Sequence, residues 1–165
     1  MEGFDEVYKK YLSEVYRFLL KICGNQDLAE ELTQSTFVIA FEQMEKFRGT
    51  CKISVWLCQI AKHEYFAHIR RQRRFVEEDA IAHEKAPISV EDEVIDQTEA
   101  VRIQKILSTL PEPYREVFTL RVLGELGFAD ISKSYRKSES WARVTYYRAK
   151  KMIAERLGGE TDESM

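Results

Sequence analysis

"LPEPYREVFTLRVLGELGFADISKSYRKSESWARVTYYRAKKMIAERL", Leu110 to Leu157, decides the fold. Pro113 is placed for the first turn of a helix that carries Tyr114, Val117, Phe118, Leu120 and Arg121. Gly124 and Gly127 bracket a turn, and Phe128–Tyr135 then reads as a two-turn helix with Phe128, Ile131 and Tyr135 facing inward. Arg136-Lys137-Ser138-Glu139 makes a second turn, with Ser138 as the N-cap of a closing helix that reaches Leu157. A short helix, a tight turn and a longer amphipathic helix give the order of a helix-turn-helix. In that motif the early residues of the second helix meet base edges in the major groove. Lys137 to Lys151 holds five basic residues (Lys137, Arg143, Arg148, Lys150, Lys151) against one acid, Glu139. We therefore expect Ser138, Glu139, Ser140 and Arg143 to face a groove, and Lys137, Arg148 and Lys151 to reach phosphates. Trp141, Val144 and Tyr147 are expected to pack inward. Short helical hairpins with a basic face are common, so this motif alone leaves DNA reading as one candidate role.

The 165-residue chain has room for one domain or two small ones, and its 44% apolar content is enough for real cores. A net charge of −3 argues against a uniformly basic nucleic-acid binder, so any such role has to come from segregated charge. Cys23, Cys51 and Cys58 are odd in number and lack metal-ligand or redox-motif spacing, which points to reduced thiols in a cytoplasmic protein. No metal or cofactor is expected. The sequence has no 18-residue apolar run and no signal-peptide pattern, so no direct membrane insertion is expected.

Upstream of the quoted stretch the periodicity is helical. Phe4, Val7, Tyr8, Tyr11, Val15, Phe18, Leu19 and Ile22 form one stripe, ended by Gly24-Asn25. A second helix is expected from about Asp27 to Glu45, with Leu28, Leu32, Ser35 and Ile39 in one row and Phe37, Phe41 and Met44 beside it. Its other face carries Glu31, Gln34, Glu42 and Gln43, which on pattern alone is a solvated face. After the basic loop Lys46–Lys52, a third long helix is expected from Ser54 as N-cap, with Ile53 as its staple residue. Lys62, Arg70, Arg71, Arg73 and Arg74 on this helix oppose one acid, Glu64, with Tyr65, Phe66, His63 and His68 interleaved. A basic run of this kind is either a solvated helix end or a nucleic-acid contact, because stacking plus backbone charge holds single strands. Val76–Gln97 then has eight acids against one lysine, the composition of an extended or partly ordered connection. The fold expected is all-α: two small helical domains, residues 1–75 and 99–160, joined by an acidic linker at 76–98, the second domain containing the helix-turn-helix.

Taken whole, the chain resembles the extracytoplasmic-function (group 4) sigma factors of bacterial RNA polymerase, within the sigma-70 superfamily. "DLAEELTQSTFVIAFEQMEKFRG" (27–49) resembles the family's core-binding and adjoining promoter-binding segment, and "SVWLCQIAKHEYFAHIRRQRR" (54–74) its −10 helix. "LPEPYREVFTLRV" with "GFADISKSYRKSESWARVTYYRAKKMI", within 110–153, resembles its −35-binding domain. The resemblance implies a region 2 domain, a linker and a region 4 domain. It implies that Asp27, Glu31, Gln34 and Glu42 lie at an interface with the clamp helices of the polymerase largest subunit. It implies −10 contacts from the Phe47–Ile53 loop, including Phe47 and Lys52, and from Lys62, His63, Arg70, Arg71, Arg73 and Arg74. It also implies promoter DNA and an anti-sigma factor as partners, and no catalysis. The chain departs from the family pattern at Arg136-Lys137, where a glycine and an apolar residue are usual, at Gly127, where a capping serine or threonine is common, and at Trp141-Ala142. The function implied is promoter recognition and strand opening with core polymerase. The alternatives are a stand-alone helix-turn-helix regulator, which predicts a dimer on a palindrome, or a helical protein-interaction module.

Overall fold

The computed structural model describes residues 3–83 and 99–163, and among them every regular element is a helix. Seven α-helices follow in order: α1 Phe4–Cys23, α2 Gln26–Gln43, α3 Ile53–His83, α4 Glu99–Thr109, α5 Tyr114–Val122, α6 Phe128–Tyr135 and α7 Glu139–Glu163. A single 3-10 turn, Met44–Lys46, follows α2.

The first three helices pack on one another. Helix α1 ends where Gly24 enters the left-handed region (φ 67°) and its N–H bonds back to the Leu20 carbonyl, a conformation glycine adopts without steric penalty. Helix α2 begins on the Asn25 side chain, whose Oδ1 accepts from the Leu28 N–H at 3.0 Å. The inward row of α2 is Ala29, Leu32, Thr33, Thr36, Phe37 and Ala40. This corrects the expected row by about one residue. The small Ala29, Thr33, Thr36 and Ala40 admit close approach of neighbouring helices, and the two threonine hydroxyls are satisfied by carbonyls one turn back. Phe41, expected on the apolar side, is 63% exposed and meets Phe4 edge-on at 5.0 Å between centroids.

Helix α3 begins at Ile53, so Ser54 lies in the first turn and not at the N-cap. The helix also runs past residue 75 to His83, so the first part of the expected linker is helical; residues 84–98 lie outside the described residues. Pro113 occupies the N-cap position of α5, one residue earlier than expected.

The closing motif forms as expected in outline. Helix α6 ends in a paired cap, with Lys137 N–H bonding the Ser132 carbonyl (2.9 Å) and Arg136 N–H the Lys133 carbonyl (3.2 Å). Arg136 takes the left-handed residue of that cap, at φ 57°, ψ 41°. The position therefore does need positive φ, and a non-glycine residue meets that need at a steric cost. Gly124, by contrast, is required by space: a Cβ there would stand 2.7 Å from the Leu120 carbonyl oxygen. Ser138 caps α7, its Oγ accepting from the Trp141 N–H at 3.0 Å. The buried row of α7 is Ala142, Thr145, Ala149 and Ile153. Val144 and Tyr147, expected inside, fall off that row and are 46% and 55% exposed. Trp141 is half-buried against Tyr135, with ring centroids 5.4 Å apart.

The two helical halves do not have separate cores. One buried apolar cluster runs from Val7, Phe18 and Phe37 through Leu57, Ala61 and Phe66 into Val117, Leu120, Ile131 and Ala142. A smaller cluster joins α4 (Ile106, Leu107, Leu110) to Ile153 of α7, with Phe118, Met152 and Leu157 around it.

The strain at the α6–α7 turn is measurable. Arg136→Gly is expected to stabilise the chain by about 0.5–1 kcal/mol by relieving the left-handed φ, net of glycine's larger unfolded-state entropy. Denaturant titration followed by helicity checks this. A loss of stability would show that the Arg136 side chain supplies a contact that outweighs the strain.

Candidate nucleic-acid interface

Three surfaces carry the residues singled out from the sequence. Asp27, Glu31, Gln34 and Glu42 are all exposed on α2, because each lies off the inward row. Gln34 Nε2 donates to the Tyr8 hydroxyl at 3.4 Å, which ties the middle of this face to α1. Beside these polar groups stand the exposed Val38 and Phe41, so the face is mixed acidic and apolar. The sequence reading missed that apolar component. An exposed phenylalanine flanked by valine beside carboxylates has the composition of an interface more than of a solvated helix side.

The second surface is on α7. Lys137, Ser138, Glu139, Ser140, Arg143, Arg148 and Lys151 are all exposed. Arg143 is paired with Glu139 one turn earlier (3.1 Å) and its guanidinium lies 5.1 Å from the centre of the Phe128 ring. These contacts fix a side chain that would otherwise sample many rotamers. The Ser138 oxygen is engaged as the helix cap, so its remaining capacity is one donor and one lone pair.

The third surface, the basic run of α3, is divided. His63, Arg70, Arg71, Arg73 and Arg74 are exposed, and Arg73 donates to Ser108 Oγ of α4 at 2.7 Å. In the preceding loop Phe47 is half-buried on Trp56, ring centroids 5.0 Å apart, and Lys52 is paired with Asp130 of α6 at 3.6 Å. Lys62 corrects the sequence expectation: it is fully buried. The reason is helical register. Lys62 comes four residues after Cys58 and four before Phe66, both buried, so it lies in the apolar row of α3.

What covers Lys62 is the helix-turn-helix half. Its Nζ lies 3.2 Å from Glu116 Oε1 of α5, donates to the Tyr135 hydroxyl of α6 at 2.8 Å, and donates to Gln59 Oε1 of its own helix. The Tyr135 hydroxyl in turn donates to Glu116 Oε2 at 2.9 Å, and Gln59 Nε2 donates to Ser134 Oγ at the same distance. Arg115 stacks its guanidinium 4.1 Å from the centre of the Phe66 ring and pairs with Glu112 at 2.6 Å. Lys21 of α1 meets Glu125 at 3.1 Å, at the exposed edge of the same junction. Burial pushes the Lys62 ammonium down to about 8, against the upward pull of Glu116. Burial raises the Glu116 carboxyl, but Lys62 and the Tyr135 hydroxyl outweigh it and hold the group below its ordinary value. The Tyr135 phenol is pushed up, first by burial and then by Glu116. At neutral pH both members of the pair are charged. His63 stands 4.0 Å from Glu116, and burial of its inner edge, then the Lys62 charge, push its imidazole down toward the neutral form.

Gln59, Glu116 and Ser134 were not singled out from the sequence, and Tyr135 was read only as an inward-facing residue of its helix. Glu116 sits one residue before Val117 and four before Leu120, an acid on an apolar helical face, which is the one signal that could have marked it. Among the described residues no group of histidine, cysteine or acidic side chains could hold a metal ion.

Comparison with known proteins matches residues 7–75 to the family model "Sigma-70 region 2" and residues 100–158 to "Sigma-70, region 4". The chain is 30% identical to the ECF RNA polymerase sigma factor SigM of Bacillus subtilis (strain 168), over 90% of this chain and 91% of that protein. It is 24% identical to the RNA polymerase sigma factor YlaC of the same organism, over 98% and 96% of the two chains. In fold it is similar to the sigma factor RpoE of Bartonella quintana, solved in complex with the anti-sigma factor NepR (TM-score 0.59, 19% identity, 94% and 96% covered). It is also similar in fold to CnrH in complex with the cytosolic domain of CnrY (TM-score 0.58, 16% identity, 94% and 88% covered).

The junction should be costly to break from one side only. Lys62→Ala leaves Glu116 buried without its counter-charge and is expected to lower stability by about 3–5 kcal/mol. Lys150→Ala, on an exposed helix face, should fall within about 0.5 kcal/mol of wild type. Parallel denaturant titrations decide this, and equal effects of the two changes would show that Lys62 is solvated.

Proposed function

The chain belongs to the extracytoplasmic-function branch of the sigma-70 family, and on that premise we propose how its three surfaces divide the work of a sigma factor. As a member of that family it binds core RNA polymerase and directs promoter recognition and strand opening. The observation that carries this reading is the presence, in order on one chain, of segments matching region 2 and region 4. Residues 1–75 would serve core binding and the −10 element, and residues 99–160 the −35 element. Sigma factors are transcription initiation factors, and on the family match we read the chain as a recognition subunit whose chemistry is the polymerase's.

The face of α2 with Asp27, Glu31, Gln34 and Glu42 would meet the clamp helices of the polymerase largest subunit. The exposed Val38 and Phe41 supply the apolar anchor such a contact needs, and the carboxylates supply complementarity to basic partner residues. Phe47, Lys52, His63, Arg70, Arg71, Arg73 and Arg74 would hold the opening strand, by stacking and phosphate contact. Capture of an unstacked base in a protein pocket opens a duplex without chemistry. Lys137, Ser138, Glu139, Ser140, Arg143, Arg148 and Lys151 would read and grip the −35 duplex.

An anti-sigma partner is part of the proposal, supported by similarity of fold to two proteins solved in complexes whose partners are NepR and the cytosolic domain of CnrY. No helix among the described residues is long and apolar enough to cross a membrane, and as a subunit of core polymerase the chain would work in the cytoplasm. The stand-alone regulator reading would leave the mixed face of α2 without a use.

Two measurements test the assignment. Glu31→Lys combined with Gln34→Lys should weaken association with purified core polymerase while leaving the melting curve unchanged; undiminished binding would remove α2 from the interface. Arg143→Ala should lower holoenzyme affinity for its promoter by about 1–3 kcal/mol relative to unrelated duplex, as expected for a bidentate base contact. An equal loss on all duplexes would make Arg143 a phosphate contact.

A further inference from the structure

Phe128 opens α6 and belongs only partly to the core. Its position, three residues before the buried Ile131, reads as an inward-facing one, yet it is half-buried and two guanidiniums lie against its ring. Arg121 Cζ stands 4.2 Å from the ring centre and Arg143 Cζ 5.1 Å, both within the range of about 6 Å over which a cation is drawn to an aromatic face. The ring is itself held in place. Tyr146 packs against it with centroids 5.6 Å apart, and Arg121 is anchored by donating to the Leu126 carbonyl at 3.1 Å. Arg143 is therefore gripped from two helices: by the Phe128 ring of α6, and by Glu139 of its own helix, whose Oε1 accepts from Nη2 at 3.1 Å. Both members of that ion pair are about half exposed, so water screens it and it adds little to stability. What the two contacts do is remove rotamers from a long side chain. A guanidinium has five donors in a rigid fork, so with Glu139 on Nη2 enough remain to meet the O6 and N7 acceptors of a guanine together.

We propose that Phe128 and Glu139 are positioning residues for the −35 contact: together they hold the Arg143 fork toward a single guanine, and Glu139 itself touches no base. The proposal rests on the reading of Arg143 as a −35 base contact. The other use of a carboxylate in a major groove is to accept from the amino group of a cytosine. Glu139 is already engaged by Arg143 one turn further along α7, and turning it to a cytosine would release the arginine it fixes. An arginine ordered before DNA arrives loses less freedom on binding, and that saving appears as affinity for the base it is aimed at. Phe128 contributes from the first helix of the helix-turn-helix, so the angle between α6 and α7 sets where the fork points.

The test uses the full chain assembled with core polymerase, and a library of a promoter it transcribes, randomised across the −35 element so that base preference is read position by position. Wild type is expected to prefer guanine at one position by about tenfold or more, and Arg143→Ala to lose that preference. Phe128→Leu keeps apolar volume and removes the ring, while Glu139→Gln keeps length and removes the charge. Each is expected to weaken the preference at that same position by about two- to tenfold, the cost of ordering one long side chain. Phe128→Tyr, which restores the ring face, is expected to retain it. The other positions, and the slope of log K against log salt for Phe128→Leu, should keep their wild-type values, because no phosphate contact is removed. An undiminished guanine preference in either variant removes that residue from the holder, and in both it overturns the proposal. A loss spread evenly over all positions in Phe128→Leu also overturns it, because the ring then serves only the fold. Loss of a cytosine preference at another position in Glu139→Gln makes Glu139 a base contact and overturns its positioning role. If Phe128→Leu loses helicity, Glu139→Gln on the exposed surface still reads the outcome. The premise fails separately: an Arg143→Ala chain with every preference intact removes Arg143 from base reading and the proposal with it, whereas a preference lost in Arg143→Ala but kept in the two holder variants overturns the holder alone.

Discussion

A lysine and a glutamate from different halves of the chain meet where neither contacts water, Lys62 fully buried and Glu116 nearly so, 3.2 Å apart. Removing two ions from water costs several kcal/mol each, and their attraction offsets this only when the remaining donors and acceptors are also satisfied. The Tyr135 hydroxyl and the Gln59 amide provide that satisfaction. The geometry of the whole molecule follows from this requirement. Helices α5 and α6 have to present Glu116 and Tyr135 to one point on α3, which fixes the helix-turn-helix against the first three helices and lets one apolar cluster run through both halves.

A junction of this kind is weakly stabilising and strongly directional. Apolar residues of the same size would hold the halves together as well or better. The polar network instead makes the contact conditional on one register. The flanking pairs follow the same logic. Lys21–Glu125 and Lys52–Asp130 each have at least one well-exposed member, so water screens them and they contribute little to stability.

Display of the reading surfaces depends on small residues elsewhere. Ala142, Thr145 and Ala149 let α7 lie close against α5 and α6, and this turns Arg143, Arg148 and Lys151 outward. Ala29, Thr33, Thr36 and Ala40 do the same for α2, leaving Glu31, Gln34, Val38 and Phe41 outside. In both helices some bulky residues that a sequence pattern assigns to the core, Phe41 on α2 and Val144 and Tyr147 on α7, stand on the surface, where they are available to a partner.

The sequence by itself determined the helices and their order, and some of their ends. Gly24, Ser138 and the Pro111-Glu112-Pro113 break are local signals, and the cap and turn chemistry acts within a few residues of itself. It also determined the family, because three segments in order are a longer pattern than any single motif. It did not determine the inward rows of α2 and α7 to the residue, because alanine and threonine give a weak periodic signal, while Phe41, Val144 and Tyr147 give a strong one that pointed the wrong way. Nor did it reveal that Arg136 occupies a left-handed position. Least legible was the fate of Lys62. A lysine in a basic helical run reads as solvated or phosphate-bound, and its partners lie 54 and 73 residues further along the chain, at Glu116 and Tyr135. Only the tertiary structure decided that this charge is buried, because a buried ion is tolerable solely where distant parts of the chain converge to replace its water.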